Sequence, residues 1–149
     1  MQERRQGVNR EMNDMISQRD GSSRALIVDN NEAVLDALDK LLRGQGFDTR
    51  TTWSGREALA LMQSYPFDVL LVDDYLADLH VAEFLKRVRR QVRPPAVVVM
   101  QAAKPAPADL RHYGSLGARA VVDKRDPEQI RRALASGGWA GAAVKARVN

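Results

Sequence analysis

Strand-sized segments alternating with helix-spaced ones constrain this chain more than any other feature. Ala25-Leu26-Ile27-Val28 is a continuous apolar run, the pattern of a strand buried on both faces. Val34, Leu35, Leu38, Leu41 and Leu42 then recur at helical spacing, and Gly44 and Gly46 stop that helix. Phe47 to Thr52 is rich in strand formers and carries three threonines. Ser54, with Glu57 three residues later, predicts a capping box ahead of Ala58, Leu59, Leu61 and Met62, and Pro66 closes that helix. Val69 to Val72 is a third strand ending on Asp73. Ala82, Phe84, Leu85 and Val88 mark a third helix, which breaks at Pro94-Pro95. Val97 to Met100 is a fourth strand, Pro107 opens a fourth helix that Gly114 and Gly117 end, and Ala118 to Val122 is a fifth strand. Asp126-Pro127-Glu128 supplies an N-cap, a first-turn proline and an acidic first turn to a fifth helix, which stops near Gly137-Gly138.

Five strands alternating with five helices through short connections predict an α/β fold: a five-stranded, parallel, doubly wound (flavodoxin-like) sheet covered on both faces. Residues 24–136 form that unit, residues 1–23 read as a flexible leader ending in Asp20-Gly21-Ser22-Ser23, and residues 137–149 read as a basic tail.

The bulk numbers remove several classes. No apolar run approaches a membrane span, and the N-terminus lacks the apolar core of a signal peptide, so a cytoplasmic location is expected. The chain has no cysteine, which excludes disulfides and thiolate metal sites. The net charge of +4 is carried by the six basic and two acidic residues from Lys124 onward, while the rest of the chain sums to zero. Such a charge is too small and too confined to predict DNA binding.

Function in a parallel open sheet collects at the C-terminal ends of the strands. The polar residues there are Asp29, Asn30, Asn31 and Glu32 after the first strand, Asp73-Asp74 after the third, and Asp123-Lys124-Arg125 after the fifth. Carboxylates at neighbouring strand ends suit a hard divalent cation, and a lysine beside them suits phosphoryl oxygens. No nucleophile–His–acid set, Gly-rich phosphate loop or His/Cys metal spacing is present, which argues against a conventional enzyme.

Leu26-Ile27-Val28-Asp29-Asn30-Asn31-Glu32, Gly55-Arg56-Glu57-Ala58-Leu59, Asp68 to Asp73, Leu116-Gly117-Ala118 and Val122-Asp123-Lys124 together resemble the receiver domains of bacterial two-component response regulators, of the chemotaxis-regulator kind. The resemblance runs from about Arg24 to Ser136, and the 44-residue and 51-residue intervals Asp29–Asp73 and Asp73–Lys124 agree with it. It implies that Asp73 is a carboxylate phosphoacceptor, with Asp74 a neighbouring alternative. It implies that Asp29 and Asp73 hold Mg²⁺ with the backbone carbonyl of Tyr75, and that Lys124 pairs with Asp73 and then with the phosphoryl oxygens. Autophosphorylation and autodephosphorylation at Asp73 would be the only catalysis. The implied partners are a histidine kinase or phosphotransfer protein and a downstream protein, with a homodimer through the fourth and fifth helices as a further expectation. With few residues after the fifth helix, output is expected to run through a partner.

The chain departs from the family pattern at several points. Asn30 replaces the second metal-binding acid, which keeps an oxygen donor but removes a charge and weakens Mg²⁺. The switch hydroxyl at the end of the fourth strand is Gln101, or Ala102 if the loop slips. Val121 stands where an inward-swinging aromatic is usual, Arg125 where a proline follows the lysine, Val81 where a glycine starts the helix, and His80 where an acid is common. The expectation is an atypical receiver whose coupling from phosphate to output is altered. The alternative is a receiver-like effector of a cyclic dinucleotide such as cyclic di-GMP. It would use Arg125, Arg131, Arg132 and Trp139, because guanidinium groups pair with phosphates and guanine edges and indole stacks on a base.

Overall fold

A computed structural model describes residues 22–136 of the chain. Ten elements alternate along it: β1 (Arg24–Val28), α1 (Glu32–Gly44), β2 (Asp48–Thr52), α2 (Gly55–Ser64), β3 (Val69–Asp73), α3 (Val81–Arg89), β4 (Ala96–Gln101), α4 (Pro107–Ser115), β5 (Ala118–Asp123) and α5 (Pro127–Ala135). The strands form one parallel sheet in the order β2-β1-β3-β4-β5. The order reverses between β1 and β3, and this switch point opens a crevice at their C-terminal ends.

Strand alternation divides the core in two. Leu26, Val28, Leu70, Val72, Val97, Val99 and Val121 pack with Ala58, Val81, Phe84, Leu85 and Val88 under α2, α3 and α4. Ala25, Ile27, Val69, Leu71, Val98, Met100 and Val122 pack with Leu35, Leu38, Leu42, Ile130 and Leu134 under α1 and α5. Phe84, Leu85 and Val88 are essentially fully buried, so truncating one to alanine should cost about 2–5 kcal/mol.

The termini of the elements follow local chemistry, with small corrections to the sequence reading. Gly44 stays in the last turn of α1, and the reversal occurs at Gly46, whose φ of 95° needs glycine. The Gly46 N–H donates to Arg43 O and the Phe47 N–H to Leu42 O, a Schellman closure that keeps buried Phe47 out of β2. Gly114 likewise lies within α4, and the turn is made by Gly117 at φ 100°. Half of the expected box at α2 forms: Ser54 Oγ accepts from the Glu57 N–H, but the Ser54 N–H donates to Thr52 Oγ1. Asp126 caps α5 as its sequence predicts, accepting from the Glu128 N–H at 3.0 Å. The leader and tail readings lie outside the described residues, as do Gly137 and Gly138. Among the described residues, no helix is long and apolar enough to cross a membrane.

Candidate functional site

Strand alternation also assembles the candidate site. Asp29, Asp73 and Lys124 each follow by two positions a residue of the α1–α5 layer, namely Ile27, Leu71 and Val122. Side chains two apart on a strand share a face, so all three point to one side of the crevice. The ladder continues into these ends through Asp29 N to Thr52 O, Asp74 N to Met100 O and Lys124 N to Gln101 O. The Lys124 ammonium lies 3.1 Å from Asp29 Oδ2 and 3.1 Å from Asp73 Oδ1. Asp29 is fully buried and Asp73 is 5% exposed. The second oxygen of Asp29 accepts the Asn31 N–H at 2.8 Å, whereas Asp73 Oδ2 accepts no hydrogen bond among the described residues.

One ammonium between two buried carboxylates leaves the cluster one charge negative. Burial pushes the Asp73 carboxyl above its ordinary value, the Lys124 hydrogen bond opposes this, and the charges of Asp29 and Asp74 add to the rise. Burial works against the Lys124 ammonium, but hydrogen bonds to Asp29 and Asp73 outweigh it and hold the amine above its usual range.

The neighbouring residues are less engaged. Asn30 and the Tyr75 side chain are exposed, and Asp74 is half-buried. Asn31, beside Asn30, caps α1 through its side chain. No group of three His, Cys, Asp or Glu side chains is poised around a metal position among the described residues. Gln101 is buried but faces elsewhere. It shares strand parity with Val99, which packs under α2–α4, and its amide donates to Ala103 O at 3.3 Å and Asp109 Oδ2 at 3.2 Å. Ala102 is exposed, and Val121 is buried in the α2–α4 layer. His80 caps α3, its Nδ1 accepting from the Ala82 N–H at 3.2 Å.

Two residues that sequence reading passed over belong to the surroundings of the site. Asp78, in the loop after β3, accepts from Ser54 Oγ at 2.8 Å, Gly55 N at 3.0 Å and Arg56 N at 3.1 Å, pinning that loop to the start of α2. Burial would raise its carboxyl, but these hydrogen bonds win and hold it low. A Cβ on Gly55 would stand 3.0 Å from Leu76 Cδ1 and 3.5 Å from Asp78 Oδ1, so the approach is close. Tyr113 of α4 packs against the α2–α4 core, and burial together with the charges of Asp74, Asp109 and Asp73 raises its phenol. Asp78 lies 22 to 24 residues from its partners, and Tyr113 about 40 from Asp73 and Asp74, beyond any short motif.

The basic residues near α5 are not gathered into one recess. Arg125 makes a two-pronged pair with Asp123 at 2.9 and 2.8 Å, which pulls the Asp123 carboxyl down to about 2. Arg131 pairs with Glu128 at 3.1 Å, Arg132 is exposed, and Trp139 lies outside the described residues.

Comparison with known proteins bears on the fold. The sequence profile of the response regulator receiver domain matches residues 25–135. The cell cycle response regulator CtrA of Brucella ovis is 27% identical over 77 residues, which is 51% of this chain and 33% of that protein. The chain therefore spans about a third of the length of the curated relatives it matches. The chemotaxis protein CheY4 of Vibrio cholerae superposes with a TM-score of 0.70 at 26% identity, over 76% of this chain and 96% of that one. A CheY-like receiver domain protein from Methanospirillum hungatei shares the fold at a TM-score of 0.70 and 21% identity, over 86% and 99% of the two chains.

Proposed function

The chain belongs to the response regulator receiver domain family, and from that premise we propose that Asp73 is its phosphoacceptor, with Lys124 and Asp29 completing the site. Receiver domains are signalling modules of two-component systems rather than enzymes that turn over a separate substrate. The observation that carries the reading is the single ammonium shared by two buried carboxylates, with Asp73 Oδ2 accepting no hydrogen bond among the described residues. That oxygen attacks phosphorus as the bond from phosphorus to the donor's nitrogen breaks and the donor keeps that electron pair. Lys124 then follows the charge from the carboxylate to the phosphoryl oxygens. Asp29 keeps Lys124 protonated and placed.

The donor set suits a hard divalent cation: Asp29 and Asp73 supply anionic oxygens, Tyr75 a backbone carbonyl and Asn30 a neutral amide oxygen. Two carboxylates without a third imply a weak Mg²⁺ site. When bound, the ion would neutralise charge on the transferred group. Read-out differs from the family pattern, because Gln101 is committed to α4 and Val121 is small.

The donor is a histidine kinase or phosphotransfer protein, and it docks beside Lys124. A groove of about 580 Å³ between α1 and α5 ends at Lys124 and carries Val34, Leu38 and Ile130 on its floor, an apolar seat for a donor helix. Residues 24–136 act as the receiver unit, and output passes to a protein partner. The cyclic dinucleotide reading gains no support from Arg125 and Arg131, whose guanidinium groups are already paired.

Phosphoramidate with Mg²⁺, followed by intact-mass measurement, tests the assignment. One added phosphoryl group is expected in the wild type and none in Asp73→Asn. Loss in Asp74→Asn with retention in Asp73→Asn would move the acceptor to Asp74.

A further inference from the structure

The neutral charge of residues 1–123 conceals a segregated surface. Lys86, Arg87, Arg89, Arg90 and Arg93 fall within eight residues at the end of α3, and no acidic residue occurs between Glu83 and Asp109. Arg89 is committed, donating to Ser115 O at 3.0 Å and covering Gly117. Arg87 and Arg90 instead line a groove of about 450 Å³ between α2 and α3 with Arg56, over a floor of Leu59 and Ala60. Arg87 keeps an exposed pair with Glu83 at 3.2 Å, while the Arg56 and Arg90 guanidinium groups have no partner among the described residues.

This groove does not stop at its cationic end. Gln63 and Gln91 line it and also line a second recess of about 310 Å³, walled mainly by Met62, Tyr65, Pro66 and Val92, with Arg93 also lining it. Val92 is 98% exposed, which is unusual for a valine beside an apolar recess. One seam between α2 and α3 thus runs from three guanidinium groups, past two carboxamides, to a mainly apolar end bordered by Arg93.

From that sequence of surfaces we propose that the α2–α3 seam docks an acidic protein segment carrying an aliphatic anchor. Carboxylates of the segment pair with Arg56 and Arg90, its backbone amides meet the Gln63 and Gln91 carboxamides, and an aliphatic side chain covers Val92 and Met62. A nucleic acid would use the guanidinium groups but leave the apolar end bare, since phosphate contacts dominate its affinity. The surface is separate from the Asp73 crevice, so this inference stands or falls independently of the phosphoacceptor assignment.

Fluorescence anisotropy of the full chain with a labelled peptide of alternating Glu and Leu tests it, with amide NMR to locate the peptide. Saturable binding is expected, with shifts at Leu59, Ala60, Gln63, Gln91 and Val92. The double substitution Arg56→Gln/Arg90→Gln should weaken it roughly tenfold, as should Val92→Asp. Absence of saturable binding would overturn the proposal. So would equal binding of polyglutamate, or of an oligothymidylate unaffected by Val92→Asp, which would mark a bare electrostatic surface. A spin label on Ser17→Cys that broadens the seam amides without peptide would also overturn it, because the chain's own leader would then be the occupant.

Discussion

Lys124 Nζ lies 3.1 Å from Asp73 Oδ1, across 51 residues of chain and two strand ends. The same nitrogen reaches Asp29 at 3.1 Å, so one cation serves two carboxylates that are almost wholly removed from solvent. Stability and chemistry are coupled at this cluster, because it holds one negative charge in excess: losing the ammonium leaves two carboxylates facing each other, whereas losing the Asp73 charge leaves a balanced Asp29–Lys124 pair.

Replacing Lys124 by Met should therefore be severe. It leaves two buried carboxylates facing each other, and breaking a buried pair costs about 3–5 kcal/mol. Urea denaturation at neutral pH should show that loss. The wild type should also lose stability at alkaline pH: the folded amine is raised above its ordinary 10.5, so its contribution is complete below that value and disappears as pH rises through the folded value.

Asp73→Asn should act in the opposite direction. The Asp73 carboxyl is raised from 3.8, so the folded state binds its proton more tightly than the unfolded chain does. Wild-type stability should fall as pH rises from 3.8 through the folded value, and the variant should lack this component. Its melting temperature at neutral pH should be higher than that of the wild type, measured by thermal unfolding followed by circular dichroism.

Asp78→Ala removes three hydrogen bonds from the start of α2 and should cost about 1–2 kcal/mol. The Asp78 carboxyl is depressed, so its contribution is present above 3.8 and lost as pH falls through the folded value. Denaturation curves at acid and neutral pH should show the variant and wild type converging in acid.

Two glycines should respond with opposite signs. Gly117→Ala forces a side chain onto φ 100° and against the Arg89 guanidinium at 2.9 Å, a loss of about 1 kcal/mol or more. Gly44→Ala sits in the last helical turn with nothing within 4 Å of the new Cβ and should gain about 0.5–1 kcal/mol.

The alternation of strands and helices was readable because each buried strand writes a short apolar run and each helix a 3.6-residue stripe. The convergence of Asp29, Asp73 and Lys124 was readable as three strand ends, since parity carries a side chain to a definite face. Parity also explains what sequence left unresolved: Gln101 ends its strand on the other face and bonds Asp109 of α4. Asp78 escaped notice because its partners are 22 to 24 residues away, where no spacing rule operates. The cationic end of α3 was hidden by a net charge of zero, since a sum over residues says nothing about which face they share.

Amide NMR of the labelled full chain, before and after Mg²⁺ and beryllofluoride, tests the phosphoacceptor assignment most directly. The account predicts large shifts at Asp29, Asp73 and Lys124, both additions being required and the response absent in Asp73→Asn. A spectrum unchanged by the two together would contradict it.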